Sequence, residues 1–247
     1  MSAGRISCNR RRMRPNTVAE EEIVMPGNAR DEILKKLKAA PRTEVQPRPN
    51  PPALAERSLD REQMIQKFTA ELNAQTGVVH RAKTSGEALR ILTEVASAEK
   101  LQSVMLSTDV CLAALDLGRW GEKAGIQVFT AGDFPDRESY RDAVFEVDAG
   151  ITGADFAIAE TGTLGLIFNA NQSRLISIAP PLHIALVPLD RLLPIYEDAV
   201  DKVFADKEHL PSQFCFITGP SASADIQATA FKGMHGPKKV IVILLES

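Results

Sequence analysis

Apolar positions recur at helical spacing in three stretches of the chain. Ile33, Leu34 and Leu37 form a stripe between Asn28 and about Ala40, and Met64, Ile65, Phe68 and Leu72 form another between about Asp60 and Gln75. Leu89, Leu92 and Ala96 mark a third, opened by Thr84 and Glu87 at the spacing of a capping box. Asn28 is placed to cap the first helix, with Asp31 and Glu32 at the positive end of its dipole. A fourth helix is predicted over Arg137–Val147, with Tyr140, Val144 and Val147 in register. Between these lie short apolar runs that read as strands: Val78–His80, Ser103–Ser107, Ile126–Phe129, Asp155–Ala159, Leu175–Ile178 and His183–Val187. Phe214–Thr218 and Val240–Leu245 are apolar without alternation, the pattern of strands covered on both faces. Strands and helices alternating in this way predict an α/β fold, an open, mostly parallel sheet with helices on both faces.

The amino-terminal region breaks this pattern and divides the chain into three parts. Residues 1–24 carry five arginines before any acidic residue and then Glu20, Glu21 and Glu22, with no apolar stretch of the secretory kind. They are expected to be a disordered or non-native extension, with Met25 as the native start. Residues 25–52 form a helical arm followed by a stiff linker with prolines at 41, 47, 49, 51 and 52. Residues 53–247 hold the α/β domain.

Charge and composition remove several function classes. Lys+Arg is 29 against Asp+Glu 32, so no basic excess points to nucleic acid. The most apolar stretch, Leu175 to Leu189, is interrupted by Pro180, Pro181 and Pro188 and carries His183, so no membrane span is expected. Cys8, Cys111 and Cys215 are far apart and form no CxxC pair, which predicts neither a disulfide framework nor an iron–sulfur cluster on this chain and fits a reducing, cytoplasmic location. The histidines show no metal-ligand spacing, and no metal is expected.

Candidate chemistry concentrates where glycine-rich turns follow strands. In residues 150–165, the strand Asp155–Ala159 delivers Glu160 at its carboxyl end, followed by Thr161, Gly162, Thr163 and Gly165. A carboxylate at such a turn suits a base or a nucleophile, and hydroxyls with free amides suit a small carboxylate. The plain structural alternative is a tight turn whose glutamate satisfies backbone amides. Asn169 and Asn171 add neutral donors, or simply form a turn. In residues 216–239 a strand ends at Thr218 and Gly219-Pro220 turns the chain. Ser221 or Ser223 is then expected to cap a helix with Asp225 in its first turn, a site for an anion. Gly233 suits that helix's end, and His235 is either a site residue or the clasp of a turn. His183, starting an apolar strand, reads first as a satisfied core histidine.

The segments ADFAIAETGTLGL, PPLHIALV, GPSASADI and GMHGPKKVIVILL, in that order, resemble the LUD-domain family, and the opening NARDEILKKLKAA is similar to the start of family members. Ala222 and Gln227 stand where the family more often has a basic residue and a glutamate. The resemblance covers about residues 28–247. It implies a fold similar to the NagB/RpiA/CoA-transferase group. It also implies a part in bacterial oxidation of L-lactate to pyruvate, together with two partner proteins that carry the iron–sulfur clusters, and no cofactor on this chain. The resemblance assigns no catalytic residues. On the residues themselves, Glu160 is expected to handle a proton. Thr161, Gly162, Thr163, Gly219, Ser221, Ser223, Asp225, His235 and Asn171 are expected to hold the substrate. The alternatives are an acyl-CoA enzyme with Glu160 as thioester-forming nucleophile, suggested by the likeness of AETGTLG to the CoA-transferase turn, or a metabolite-binding regulatory module.

Overall fold

The structure is a computed structural model and describes residues 29–40, 58–168, 173–208, 210–211, 213–224 and 230–246. The chain forms two units, dividing between Pro52 and Ala53. The expectations for residues 1–24 and for the proline-rich linker lie outside the described residues.

Among its described residues the first unit forms one helix, α1 (Ala29–Ala39). Asp31 and Glu32 occupy its first turn and Lys36 and Lys38 its last, each sign at the dipole end that favours it. Lys36 and Glu32 pair one turn apart at 3.0 Å.

The second unit begins with α2 (Arg61–Ala74). Asp60 and Gln63 cap it reciprocally: the Gln63 amide donates to Asp60 Oδ1 (2.8 Å) and the Asp60 amide to Gln63 Oε1 (2.9 Å). There follow β1 (Val78–Ala82), α3 (Ser85–Glu99), β2 (Ser103–Leu106), α4 (Val110–Ala113), α5 (Leu117–Ala124), β3 (Gln127–Phe129) and α6 (Arg137–Glu146). Next come β4 (Ala149–Gly153), β5 (Phe156–Ile158), β6 (Thr163–Phe168), α7 (Leu175–Ile178), β7 (Leu182–Pro188) and β8 (Leu192–Leu193). The chain continues through α8 (Tyr196–Val203), β9 (Gln213–Ile217), β10 (Ala222–Ala224), β11 (Ala230–Lys232) and β12 (Lys239–Leu245). At α3 the Thr84 hydroxyl accepts from the Glu87 amide as expected, but the Glu87 carboxylate reaches back to the amide of Lys83, one residue before the cap.

Six strands in the order β1-β12-β7-β4-β2-β3 form a wholly parallel sheet. Alternation along its strands feeds two cores. Ile151, Ile184, Leu186, Ile241 and Ile243 pack with Ile91, Leu92 and Trp120 from α3 and α5. On the other face Ala185, Val187, Val242 and Leu244 pack with Phe68 and Leu72 of α2, and Met105 meets Val144 and Ile176 of α6 and α7. Helices therefore cover both faces, as the βαβ pattern predicts.

A second sheet, β8-β5-β6-β9, is mixed: β5/β6 and β6/β9 are antiparallel, and β5/β8 is parallel. Its Leu164 and Leu166 enter the same core as α2. This sheet changes two sequence expectations, and two others change elsewhere. The Asp155–Ala159 strand belongs to it and not to the parallel sheet. The Phe214–Thr218 run is its edge strand, with Gln213 and Phe214 exposed, so it is not covered on both faces. Leu175–Ile178 is a helical turn lying over β4 and not a strand. The helix expected after Ser221 is replaced by the antiparallel pair β10/β11. There the Ser221 carbonyl accepts from the Gly233 amide (2.9 Å) and its amide donates to Pro237 (2.8 Å). A capping signal is local, and it cannot register a partner strand ten residues downstream that claims the same backbone groups.

Candidate functional site

Glu160 follows β5 at a turn and is half-buried. Its Oε2 accepts from the amide of Tyr196 (3.1 Å), the first residue of α8, and its own amide donates to the Pro194 carbonyl (3.1 Å). The glutamate thus satisfies one of the free amides at a helix start, where the dipole favours a carboxylate. That is the structural alternative foreseen for it, and it engages one carboxylate oxygen.

Thr161 and Thr163, just after Glu160, form a chain of hydroxyls with Thr218. Thr161 Oγ1 and Thr163 Oγ1 are 2.7 Å apart, and Thr163 Oγ1 and Thr218 Oγ1 are 2.9 Å apart. Thr163 is buried, while Thr218 is exposed. The chain therefore leads from the interior to the surface, where Gln75, Thr76, Thr218, Gly219, Pro220 and Ala222 line a cavity of about 270 Å³. Gly162 between the threonines has φ +61, and a Cβ there would strike the backbone of Leu72. A Cβ on Gly219 would lie 2.9 Å from Gln75 Cβ. The two glycine turns thus close onto the last turn of α2, and the hydrogen bond between Thr163 and Thr218 joins them.

The other expected residues fall into two groups. Ser221 lies beside this cavity but serves the turn that follows β11: its Oγ accepts from the His235 amide (3.4 Å). His235 is exposed, and its backbone, not its ring, makes that bond. Ser223 sits in β10 opposite Phe231 and is no helix cap. Asp225, Asn169 and Asn171 lie outside the described residues.

The electrostatics of this site differ from expectation. Ser221 and Ser223 open no helix, so the anion site predicted at a helix N-terminus is replaced by its opposite. The cavity meets the carbonyl end of α2, the negative end of that dipole, and none of its described lining residues is cationic. Hydroxyl and amide groups there suit a neutral hydroxyl or carbonyl better than a carboxylate.

The location is also unexpected. The end of α2 leads directly into β1, and Lys238, just ahead of β12, donates through its amide to Pro181, just ahead of β7 (2.8 Å). The threonine–glycine cluster therefore gathers at the amino ends of the parallel strands. In open α/β sheets ligands usually lie at the carboxyl ends, where strand order reverses. Here that reversal falls between β2 and β4, because β3 lies to the far side of β2. Asp109 follows β2, Ala154 follows β4 and Arg191 follows β7. Arg191 Nη1 lies 3.2 Å from Asp109 Oδ2 and donates to the Ala154 carbonyl (2.7 Å). Asp109 is nearly buried and leans on Gly153, where any Cβ would overlap it. An internal ion pair thus occupies the crevice and ties three crossovers together.

Titration behaviour follows from this packing. Burial tends to raise the Asp109 carboxyl, but hydrogen bonds from Cys111 and the charge of Arg191 outweigh it and hold the group below its usual range. Burial pushes Asp155 up, with the nearby Asp109 charge adding to it. The Cys111 and Cys215 thiols are both pushed up by burial, which makes them poor nucleophiles. His183 is fully buried; its Nε2 lies 2.8 Å from Thr152 Oγ1, and burial pushes it down to about 4. Among the described residues, no group of three or more His, Cys, Asp or Glu side chains is placed to hold a metal ion. Asp109, Arg191 and Thr218 carry no motif in the sequence that marks them. The only available signal was their position just after strands.

Comparison with known proteins accords with this architecture. The LUD domain family profile matches residues 65–245. Lactate utilization protein C of Anoxybacillus flavithermus is 38% identical over 104 residues, covering 42% of this chain and 46% of that protein. The protein of the same name from Oceanobacillus iheyensis is 36% identical over 104 residues, covering 41% and 45%. The matched stretch thus spans about half the length of these curated relatives. A crystal structure of a DUF162 family protein from Deinococcus radiodurans superposes with a TM-score of 0.56 at 21% identity, over 76% of this chain and 99% of that one, a likeness of fold. With a family profile that runs from α2 to the end of β12, the chain belongs to the LUD domain family.

Proposed function

We propose that this chain serves a bacterial lactate utilization system that oxidises L-lactate to pyruvate, working with partner proteins that carry iron–sulfur clusters. The observation that carries this reading is family membership together with relatives named lactate utilization protein C. The cysteine spacing provides no cluster ligands on this chain, so electrons leaving the substrate pass to the partners. The hydroxyl chain Thr161–Thr163–Thr218, opening into the cavity beside α2, supports binding of the substrate's neutral hydroxyl end there. Acyl transfer through Glu160 gains no support, because one oxygen of that carboxylate is engaged at the start of α8.

The test is lactate-dependent dye reduction by the co-expressed lactate utilization proteins, with and without this chain. Loss of activity on its omission, restored by adding it back, is the expected result. Unchanged activity without it overturns the reading. No helix among the described residues is long and apolar enough to cross a membrane.

A further inference from the structure

On the opposite face of the parallel sheet from the second sheet, α3 and α5 lie side by side over the core. Between them is a groove of about 480 Å³, within the size range of ligand sites. Its floor is apolar: Leu89 of α3, Leu115, and Trp120 of α5, the one tryptophan of the chain. Trp120 is almost completely buried, and its Nε1 donates to Thr93 Oγ1 (3.0 Å), which fixes the floor to both helices.

The rim is cationic and incompletely balanced. Arg90 on the α3 side is already paired with Glu94. Arg119 and Lys123 stand one turn apart on α5, both exposed, and neither pairs with a carboxylate among the described residues. The one carboxylate of the lining, Asp116, is committed to the helix cap, where its Oδ1 accepts from the Arg119 amide (3.4 Å). With Arg90 balanced by Glu94, Arg119 and Lys123 outnumber the single Asp116 carboxylate among the described lining residues, a net positive rim on a chain that nets −3. Positions one turn apart on a helix are about 5–6 Å apart, so the pair matches carboxylates repeating at the same interval on another helix.

We propose that the α3/α5 groove docks an acidic amphipathic segment of a partner protein, its apolar side on half-buried Leu89 and the accessible edge of Trp120 and its carboxylates on Arg119 and Lys123. The inference is independent of the substrate assigned above, since the groove shares no residue with the threonine–glycine cavity.

Trp120 reports directly on the groove. The test titrates the full chain with a tryptophan-free helical peptide carrying leucine on one face and glutamate at every fourth position. Intrinsic fluorescence and calorimetry follow the binding. A saturable change is expected, weakening by roughly tenfold or more when glutamine replaces glutamate or when Arg119→Glu and Lys123→Glu are combined. Arg119→Gln with Lys123→Gln, a milder exposed change, is expected to fall between. Four results each overturn the proposal: no signal in either measurement, equal binding of the glutamine peptide, binding indifferent to both double variants, or the same fluorescence change from inorganic phosphate alone.

Discussion

The carboxylate of Glu160, at the end of one strand of the small sheet, receives the amide of Tyr196 at the start of α8. A side chain that sequence alone marks as catalytic is thereby tied to a helix start. Glu160→Ala is expected to cost about 1 kcal/mol, as the loss of a cap does, while Glu160→Gln, which keeps an accepting oxygen, costs less. Denaturant unfolding of the pair measures this. A larger loss for Gln than for Ala would contradict the capping role.

Thr163 is the buried link between Thr161 and Thr218. Thr163→Val keeps the shape and removes the hydroxyl, leaving its neighbours without their partner. The expected loss of stability is about 1–2 kcal/mol. If the hydroxyl chain serves the substrate, lactate-dependent dye reduction falls further than the stability loss explains. Thr163→Ser restores both.

His183 makes stability depend on pH. It is neutral and buried in the native protein, with its pKa pushed from 6.5 down to about 4, so the unfolded chain binds a proton more readily. Its contribution is intact above about pH 6.5 and is lost as pH falls through 4, a change of about 3 kcal/mol in all. Unfolding curves of the wild type and His183→Gln between these limits isolate it: the variant lacks this part of the slope. Parallel curves for the two proteins would exclude it.

Gly165 is expected to tolerate no side chain. It lies in β6 directly beneath the Phe156 ring, and a Cβ would overlap three atoms of that ring. Gly165→Ala is expected to destabilise by about 2–3 kcal/mol, as overpacked cores do. Phe156→Leu in the same chain recovers part of the loss, and a double-mutant cycle reads the coupling.

Much of the fold is legible along the chain, and the reasons for the exceptions are specific. The α2 stripe of Ile65, Phe68 and Leu72 and the Thr84 cap are local patterns, and both are realised. Val240–Leu245 is buried on both faces, as its unbroken apolar run predicts. The second sheet is not legible, because strands such as β5 and β6 carry the same apolar signature whether their neighbours are parallel or antiparallel. Gly165 reads as a turn glycine, yet it makes room for a ring supplied nine residues earlier. At the site, Thr161 and Thr163 meet Thr218, and the Gly162 and Gly219 turns both close onto the end of α2. The cavity that Thr218 and Gly219 line meets the carbonyl end of α2, some ninety residues upstream of Thr161, a neighbour that no local pattern around Ser221 announces. Asp109 and Arg191 meet across 82 positions, a pairing that no local pattern announces.

The position of β12 bears on how the protein is made. It lies between β1 and β7 and pairs with both, and the outer end of this arrangement is clasped by Arg81 and Glu246, which are 165 residues apart. During synthesis β1 has no strand to pair with until nearly all of the described chain has left the ribosome. Nascent chains therefore carry a β1 without its partner strand for most of their translation, and β7 with only its β4 edge paired until β12 arrives, at the stage when chaperones compete with aggregation. A stop codon or frameshift anywhere before Lys239 removes the strand that joins β1 to the rest of the sheet and exposes the β7 edge.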